Sequence, residues 1–256
     1  MTSAPDPIRP LLSLLIPAYN EEKRLPASLD KILAWRETVP YDVEIVIIEN
    51  GSSDATTAVA EAYAASHPNL RLLHSPKGKG AAVRAGMLNG RGDYLFICDS
   101  DLSMPIEEVE KFLPPRLTGF DVAIGSREAP GAVRYNEPTY RHIMGRVFNL
   151  IVRVLAIPGF QDTQCGFKMF RRETALNVFS RQRVTGWTFD VEALYLAIAD
   201  GARVVEVPIH WYFNPDSRVE AVRDTWNMFW DVLRIRIDAW RGLYDLPRSP
   251  GSPAIS

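Results

Sequence analysis

The chain has 256 residues, 46% of them apolar, with 29 basic against 31 acidic side chains. That is enough to bury one continuous core, and the charge is too evenly balanced for a whole-surface partnership with nucleic acid. Two cysteines, Cys98 and Cys165, exclude a disulfide framework or a thiolate zinc site and are expected as small apolar fillers in a reducing compartment. Residues 1–10 are Pro-rich and polar, expected as a flexible N-terminus rather than a signal peptide, and no run of about 18 apolar residues is present to span a bilayer.

Residues 11–17 form a continuous apolar run of strand length, closed by the polar turn Ala18-Tyr19-Asn20-Glu21-Glu22. A helix follows, with Pro26 in its first turn and Leu29, Ile32 and Leu33 on one face. Residues 43–48 repeat the strand and end in Glu49-Asn50-Gly51-Ser52-Ser53-Asp54, ahead of an alanine-rich helix over 55–66. A third strand is expected over 70–73, a loop over 75–80 and a helix over about 81–89. The next apolar run, 94–98, ends abruptly in Asp99-Ser100-Asp101, a pair of acids expected where strand breaks into loop. A short helix after Pro105 and a strand over 122–126 come next, then a mobile loop or lid over 128–138. Residues 140–157 have helical period, 162–170 read as a turn and strand, 172–179 and 189–199 as helices, and 203–212 as a strand. Residues 221–243 form the last helix, with Trp226, Phe229, Trp230, Leu233, Ile237 and Trp240 at three- and four-residue spacing.

Apolar strands alternating with amphipathic helices predict an α/β chain built on an open, mainly parallel sheet flanked by helices. Such sheets bind ligands beyond the carboxyl ends of their strands. The polar clusters at 19–21, 49–54, 77–80 and 99–101 all fall at that edge and are expected to share one crevice. Asp99 and Asp101 are then candidates for a hard divalent cation and the phosphates it carries. Lys77-Gly78-Lys79-Gly80 suits a phosphorylated ligand but lacks the length of a triphosphate P-loop, and no Gly-x-Gly-x-x-Gly follows the first strand. His67, His74, His142 and His210 show no metal-ligand spacing, and no Ser/His/Asp or Cys/His constellation is legible.

Several stretches together resemble the inverting family 2 glycosyltransferases: Ile16-Pro17-Ala18-Tyr19-Asn20-Glu21, Glu49 through Thr56, Gly78-Lys79-Gly80, Asp99-Ser100-Asp101 and Gly125-Ser126-Arg127. Within that family Asp162 through Phe170 and Trp187-Thr188-Phe189-Asp190-Val191-Glu192 look most like the dolichyl-phosphate β-glucosyltransferases and their prokaryotic polyprenyl-phosphate relatives. The resemblance implies a glycosyltransferase A-type fold and transfer of glucose from UDP-glucose to a polyprenyl phosphate, giving a β-linked lipid-phosphate sugar and UDP. Mannosyl transfer from GDP-mannose and transfer to a soluble phosphorylated acceptor are the alternatives. It further implies Mg²⁺ or Mn²⁺ held by Asp101 and Asp99, and a donor site of Pro17, Tyr19, Glu21, Glu49, Lys79, Asp99 and Asp101. Glu49-Asn50 stands where two aspartates are common, leaving the base open between uridine and guanosine. Asp162 and Asp190 are the candidate bases or acceptor-orienting groups, with Glu192 a further candidate, and Arg127, Arg218 and Lys168 the candidate phosphate-binding groups. The expected organisation is a catalytic domain over 11–220, an amphipathic helix over 221–245 and a disordered tail over 246–256. Arginine-flanked aromatics on the helices at 140–157 and 221–243 suit either core packing or a bilayer interface; with the resemblance they imply peripheral attachment to the inner, cytoplasmic face of a membrane.

Overall fold

The structure, a computed structural model, describes residues 10–214 and 221–244. Its frame is a seven-stranded sheet in the order β3-β2-β1-β4-β7-β5-β8, with β1 (Leu12–Ala18), β2 (Val43–Glu49), β3 (Leu70–His74), β4 (Tyr94–Ile97), β5 (Val122–Ser126), β7 (Lys168–Arg171) and β8 (Val204–Pro208). The first four strands run parallel, as do β5 and β8. β7 alone runs antiparallel, wedged between β4 and β5. The helices are α1 (Leu25–Arg36), α2 (Thr56–Ser66), α3 (Lys79–Asn89), α4 (Thr139–Leu155), α5 (Arg172–Arg181), α6 (Phe189–Ala199) and α7 (Ala221–Trp240), with a 3-10 helix over Ile106–Phe112.

The strands read as unbroken apolar runs because both sheet faces are covered. On β1, Leu12, Leu14 and Ile16 enter one core with Leu29 and Ile32 of α1, whereas Leu15 enters a second core with Ala82, Val83 and Met87 of α3. Cys98 and Cys165 are buried and unpaired, each in the first of these cores.

Two features place the site. The strand order turns back between β1 and β4, which opens a crevice past their carboxyl ends. Because β7 is antiparallel, it begins at the edge where β4 and β5 finish, with Lys168 in register with Ile97 and Ile124. The segment 162–167 is therefore delivered beside Asp99 and Asp101. Periodicity carries no information on strand direction, and this placement was not legible in the sequence.

The segment expected as a mobile lid has structure of its own. Its residues Val133–Tyr135 form β6, which pairs in parallel with β9 (His210–Tyr212), and the Tyr135 and Tyr212 rings stack with centroids 4.3 Å apart. Arg134 pins the segment further through ion pairs with Glu128 and Glu137. The expected flexible N-terminus and disordered tail lie almost wholly outside the described residues.

Candidate active site

A cavity of roughly 530 Å³ opens at the carboxyl edge of the sheet, and Pro17, Tyr19, Glu21, Lys79, Asp99, Asp101, Arg127, Asp162 and Asp190 all line it. At its centre the chain leaves β4 and turns: the Leu102 amide donates to the Asp99 carbonyl at 3.2 Å, and Leu102 takes a positive φ of 48°. The Ser103 amide donates to Asp101 Oδ1 at 3.0 Å. Neither acid caps the next helix, whose N-cap is Pro105 with no side-chain cap. Asp99 and Asp101 thus both line the crevice.

Lys79, the first residue of α3, donates to Asp99 Oδ1 at 2.7 Å and sits 5.1 Å from the centroid of the Trp187 ring. Removal from water opposes its charge, but Asp99 at contact distance, then Asp190 and Asp101, outweigh this and raise its pKa above the ordinary lysine value. The neighbouring helix N-terminus does not serve as the anion site. The Gly80 and Ala81 amides both donate to the Thr185 carbonyl, at 2.9 and 3.3 Å, so the positive charge this loop presents comes from Lys79 and from Lys77, which also lines the cavity.

Asp99 is held in place by tight backbone approach as well as by Lys79. A Cβ on Gly166 would lie 2.1 Å from Asp99 Oδ2. Gly166→Ala is therefore expected to swing Asp99 off Lys79 and lower turnover about tenfold while thermal melting changes little, since the clash falls on a side-chain tip. A steady-state assay with a melting curve checks this.

On the opposite wall Arg127, just after β5, grips Asp162 with its amide at 3.0 Å, Nε at 2.7 Å and Nη2 at 2.9 Å. Asp162 is 4% exposed. Burial opposes its charge, but the guanidinium and its hydrogen bonds prevail and lower its pKa from 3.8 to about 2; Arg127 is correspondingly raised, against its own desolvation, by Asp162. A carboxylate so stabilised is a poor proton acceptor near neutrality. The base role considered for Asp162 does not fit this geometry; it orients Arg127.

Three further expectations change. Lys168 is 1% exposed and is not among the lining residues. Its ammonium bonds the Cys165 carbonyl and lies 3.3 Å from Asp190 Oδ2, so it holds Asp190 from beneath rather than meeting a phosphate. Gln164 Nε2 donates to the same carboxylate at 3.0 Å. Glu192 is completely buried and accepts from the Val184 amide and the Tyr244 hydroxyl at 2.8 and 2.7 Å, which removes it as a base. Glu49 is likewise absent from the lining: its Oε1 accepts the Ser52 amide at 2.5 Å and its Oε2 lies 3.3 Å from His74 Nδ1. It shapes the turn after β2. Arg218 lies outside the described residues.

Sequence reasoning missed Asn50, Trp187 and a set of arginines. Asn50 is 4% exposed, lines the crevice near Tyr19, and leaves its Oδ1 without a hydrogen-bond partner. It follows Glu49 directly, and which of two adjacent polar residues turns inward depends on where β2 ends. Arg134, Arg141 and Arg146 join Arg127 in the lining; their positions on β6 and α4 become meaningful only once those elements fold over the crevice.

The donor set fits a small hard cation. Among the described residues no group of three or more His, Cys, Asp or Glu gathers to cage a metal. Mg²⁺ and Mn²⁺ suit sites in which one or two carboxylates share the ion with waters and phosphate oxygens. Asp101, with Asp99 beside it, supplies that pattern.

At the switch point of the α/β sheet the crevice thus gathers Asp99, Asp101 and Lys79 on one side and, on the other, arginines paired with Asp162, Glu128 and Glu137. The model of "Glycosyl transferase family 2" matches residues 13–179. A dolichyl-phosphate beta-glucosyltransferase of Drosophila melanogaster is 36% identical over 253 residues, covering 90% of this chain and 77% of that protein. One from Trichomonas vaginalis is 35% identical over 254 residues, covering 94% and 75%. Among solved structures, glucosyl-3-phosphoglycerate synthase of Mycobacterium tuberculosis in complex with Mn²⁺, UDP-glucose and phosphoglyceric acid superposes with a TM-score of 0.63 at 18% identity, covering 94% of this chain and 81% of that one; at that identity the likeness establishes the fold. The chain belongs to glycosyltransferase family 2.

Proposed function

We propose that this protein transfers glucose from UDP-glucose to a dolichyl-type polyprenyl phosphate, with inversion at the anomeric carbon. The observation that carries the reading is the identity of 35–36% to dolichyl-phosphate beta-glucosyltransferases over at least 90% of the chain, with the crevice chemistry in agreement. The donor lies along Pro17, Tyr19, Asn50, Lys79 and Asp99, where the Asn50 amide offers an acceptor and a donor to a nucleobase edge. Lys79 meets the diphosphate. Asp101, with Asp99, holds Mg²⁺ or Mn²⁺, which supplies Lewis-acid relief of charge on the departing diphosphate.

The acceptor comes from the α4 side. Its phosphate oxygen is already anionic and needs little base catalysis, so the chief demand is to bring two anions together. Arg127 meets it with a guanidinium fixed by Asp162, and Arg141 and Arg146 extend the positive wall along α4. Asp190, held by Lys168 and Gln164, orients the incoming group.

The same helix supports contact with a lipid surface. Tyr140, Ile143, Val147, Leu150 and Val154 repeat every three or four residues on one face of α4 and are all exposed, Val154 by 74%. On α7, Trp230, Ile237 and Trp240 are exposed while Val232 and Ile235 are buried. No helix among the described residues is long and apolar enough to cross a membrane; the exposed faces of α4 and α7 are what support contact with a membrane surface. Val147→Glu with Val154→Glu is expected to weaken sedimentation with anionic vesicles about tenfold without lowering the melting temperature.

The direct test incubates the protein with UDP-glucose or GDP-mannose, Mg²⁺ or Mn²⁺ and a short polyprenyl phosphate. Glucolipid from UDP-glucose is the expected product. Labelling of a soluble phosphorylated acceptor alone would overturn the lipid assignment.

A further inference from the structure

The helix α7 is tied to the loop that holds Lys79. Residues 182–188, between α5 and α6, cover the start of α3: Thr185 offers its carbonyl to the Gly80 and Ala81 amides, Gln182 Nε2 donates to the Gly80 carbonyl at 3.0 Å, and Trp187 supports the Lys79 ammonium. The approach is close enough that a Cβ would stand 2.4 Å from the Thr185 oxygen at Gly78 and 2.6 Å from the Val184 oxygen at Gly80. Lys79 therefore sits where this loop sits.

The loop and the first turn of α6 are in turn anchored to the C-terminal segment through polar contacts, the Tyr244–Glu192 bond among them buried. The Thr188 hydroxyl, wholly buried, donates to Asp231 Oδ2 on α7 at 2.9 Å. Arg183 Nε pairs with Asp238 Oδ2 at 3.4 Å. Glu192 bridges the two parts, accepting the Arg183 and Val184 amides at 3.0 and 2.8 Å and the Tyr244 hydroxyl at 2.7 Å. Apolar packing would fasten a helix as firmly. A set of directional polar contacts, with Thr188 and Glu192 wholly buried at its centre, selects one seating over its near alternatives.

We propose that Asp231 and Tyr244 are positioning residues for the donor: through Thr188 and Glu192 they set the 182–188 loop, and the loop sets Lys79. Donor affinity then depends on how α7 is seated, and α7 carries the exposed Trp230, Ile237 and Trp240 on its outer side. The proposal rests on the reading of Lys79 as a donor contact.

The experiment measures UDP binding to the full chain by calorimetry in magnesium buffer, alongside KM for UDP-glucose, KM for polyprenyl phosphate, and melting temperature. Asp231→Ala and Tyr244→Phe are each expected to raise the UDP Kd and the donor KM about fivefold, the loss of one hydrogen bond, with the acceptor KM unchanged. Asp231→Asn keeps an acceptor for Thr188 and is expected to bind UDP within about twofold of the parent. Tyr244→Phe removes a single oxygen, which guards against a variant that fails to fold. Donor binding untouched in both variants, donor and acceptor KM moving together, or Asp231→Asn as impaired as Asp231→Ala would each overturn the proposal. Lys79→Ala is the companion control: unchanged UDP affinity there overturns the donor role of Lys79 and the positioning proposal with it, whereas a large loss there beside an unaffected Asp231→Ala removes the positioning proposal alone.

Discussion

Asp101→Ala is expected to abolish glucosyl transfer, by on the order of a thousandfold in turnover, with the fold intact. Asp101 accepts the Ser103 amide at 3.0 Å and, more weakly, Asn214 Nδ2 at 3.4 Å, and it sits at the crevice rather than in either core. The stability cost of losing these contacts is about 1–2 kcal/mol. The catalytic cost is larger because the departing diphosphate concentrates negative charge where Asp99 is already committed to Lys79, leaving Asp101 as the carboxylate best placed to hold a divalent ion there. Glucolipid formation at saturating donor and metal, with a melting curve on the same preparation, reads both quantities. Undiminished turnover would remove the metal assignment.

Asp162→Ala has the second large effect, and it falls on stability and activity together. The change leaves the Arg127 guanidinium, 21% exposed at the crevice wall, without its counter-ion, which costs about 1–3 kcal/mol. It also frees the side chain expected to receive the acceptor phosphate, so the acceptor KM rises more than the donor KM. Denaturant titration and a two-substrate kinetic analysis separate these consequences.

The same pair fixes a pH dependence. Asp162 has a folded-state pKa lowered from 3.8 to about 2, so the unfolded chain binds its proton first as pH falls. Its stabilisation is fully present above about pH 4 and is lost as pH drops toward 2, a contribution on the order of 2 kcal/mol. Asp162→Asn is expected to flatten that part of the stability curve, measured by denaturant midpoints between pH 5 and pH 2.

Much of the donor half was legible in the chain because it depends on local order. An apolar run followed by a polar turn and a helix places Tyr19, Lys79 and Asp99 at the same sheet edge wherever parallel strands form, and the spacing of Asp99 and Asp101 survives any tertiary detail. Glu49 and Asn50 mark where this reasoning stops. Both lie at the end of β2, and which faces the crevice is set by the final hydrogen bonds of the strand and by the turn that Ser52 closes on Glu49. Lys168 shows the same limit on the acceptor side: a lysine beside a conspicuous acid reads as a phosphate ligand until the antiparallel course of β7 buries it under Asp190.

The sequence by itself determined the class of fold, the edge at which the crevice opens, and the acids and lysine that line it. Those follow from periodicity and from residues close together along the chain. Only the tertiary structure decided that Asp162 grips Arg127, that α4 brings Arg141 and Arg146 to the crevice, and that α7 and Tyr244 contact the segment that covers Lys79. Each joins residues tens of positions apart, whose contact depends on strand direction and helix packing that no local pattern encodes.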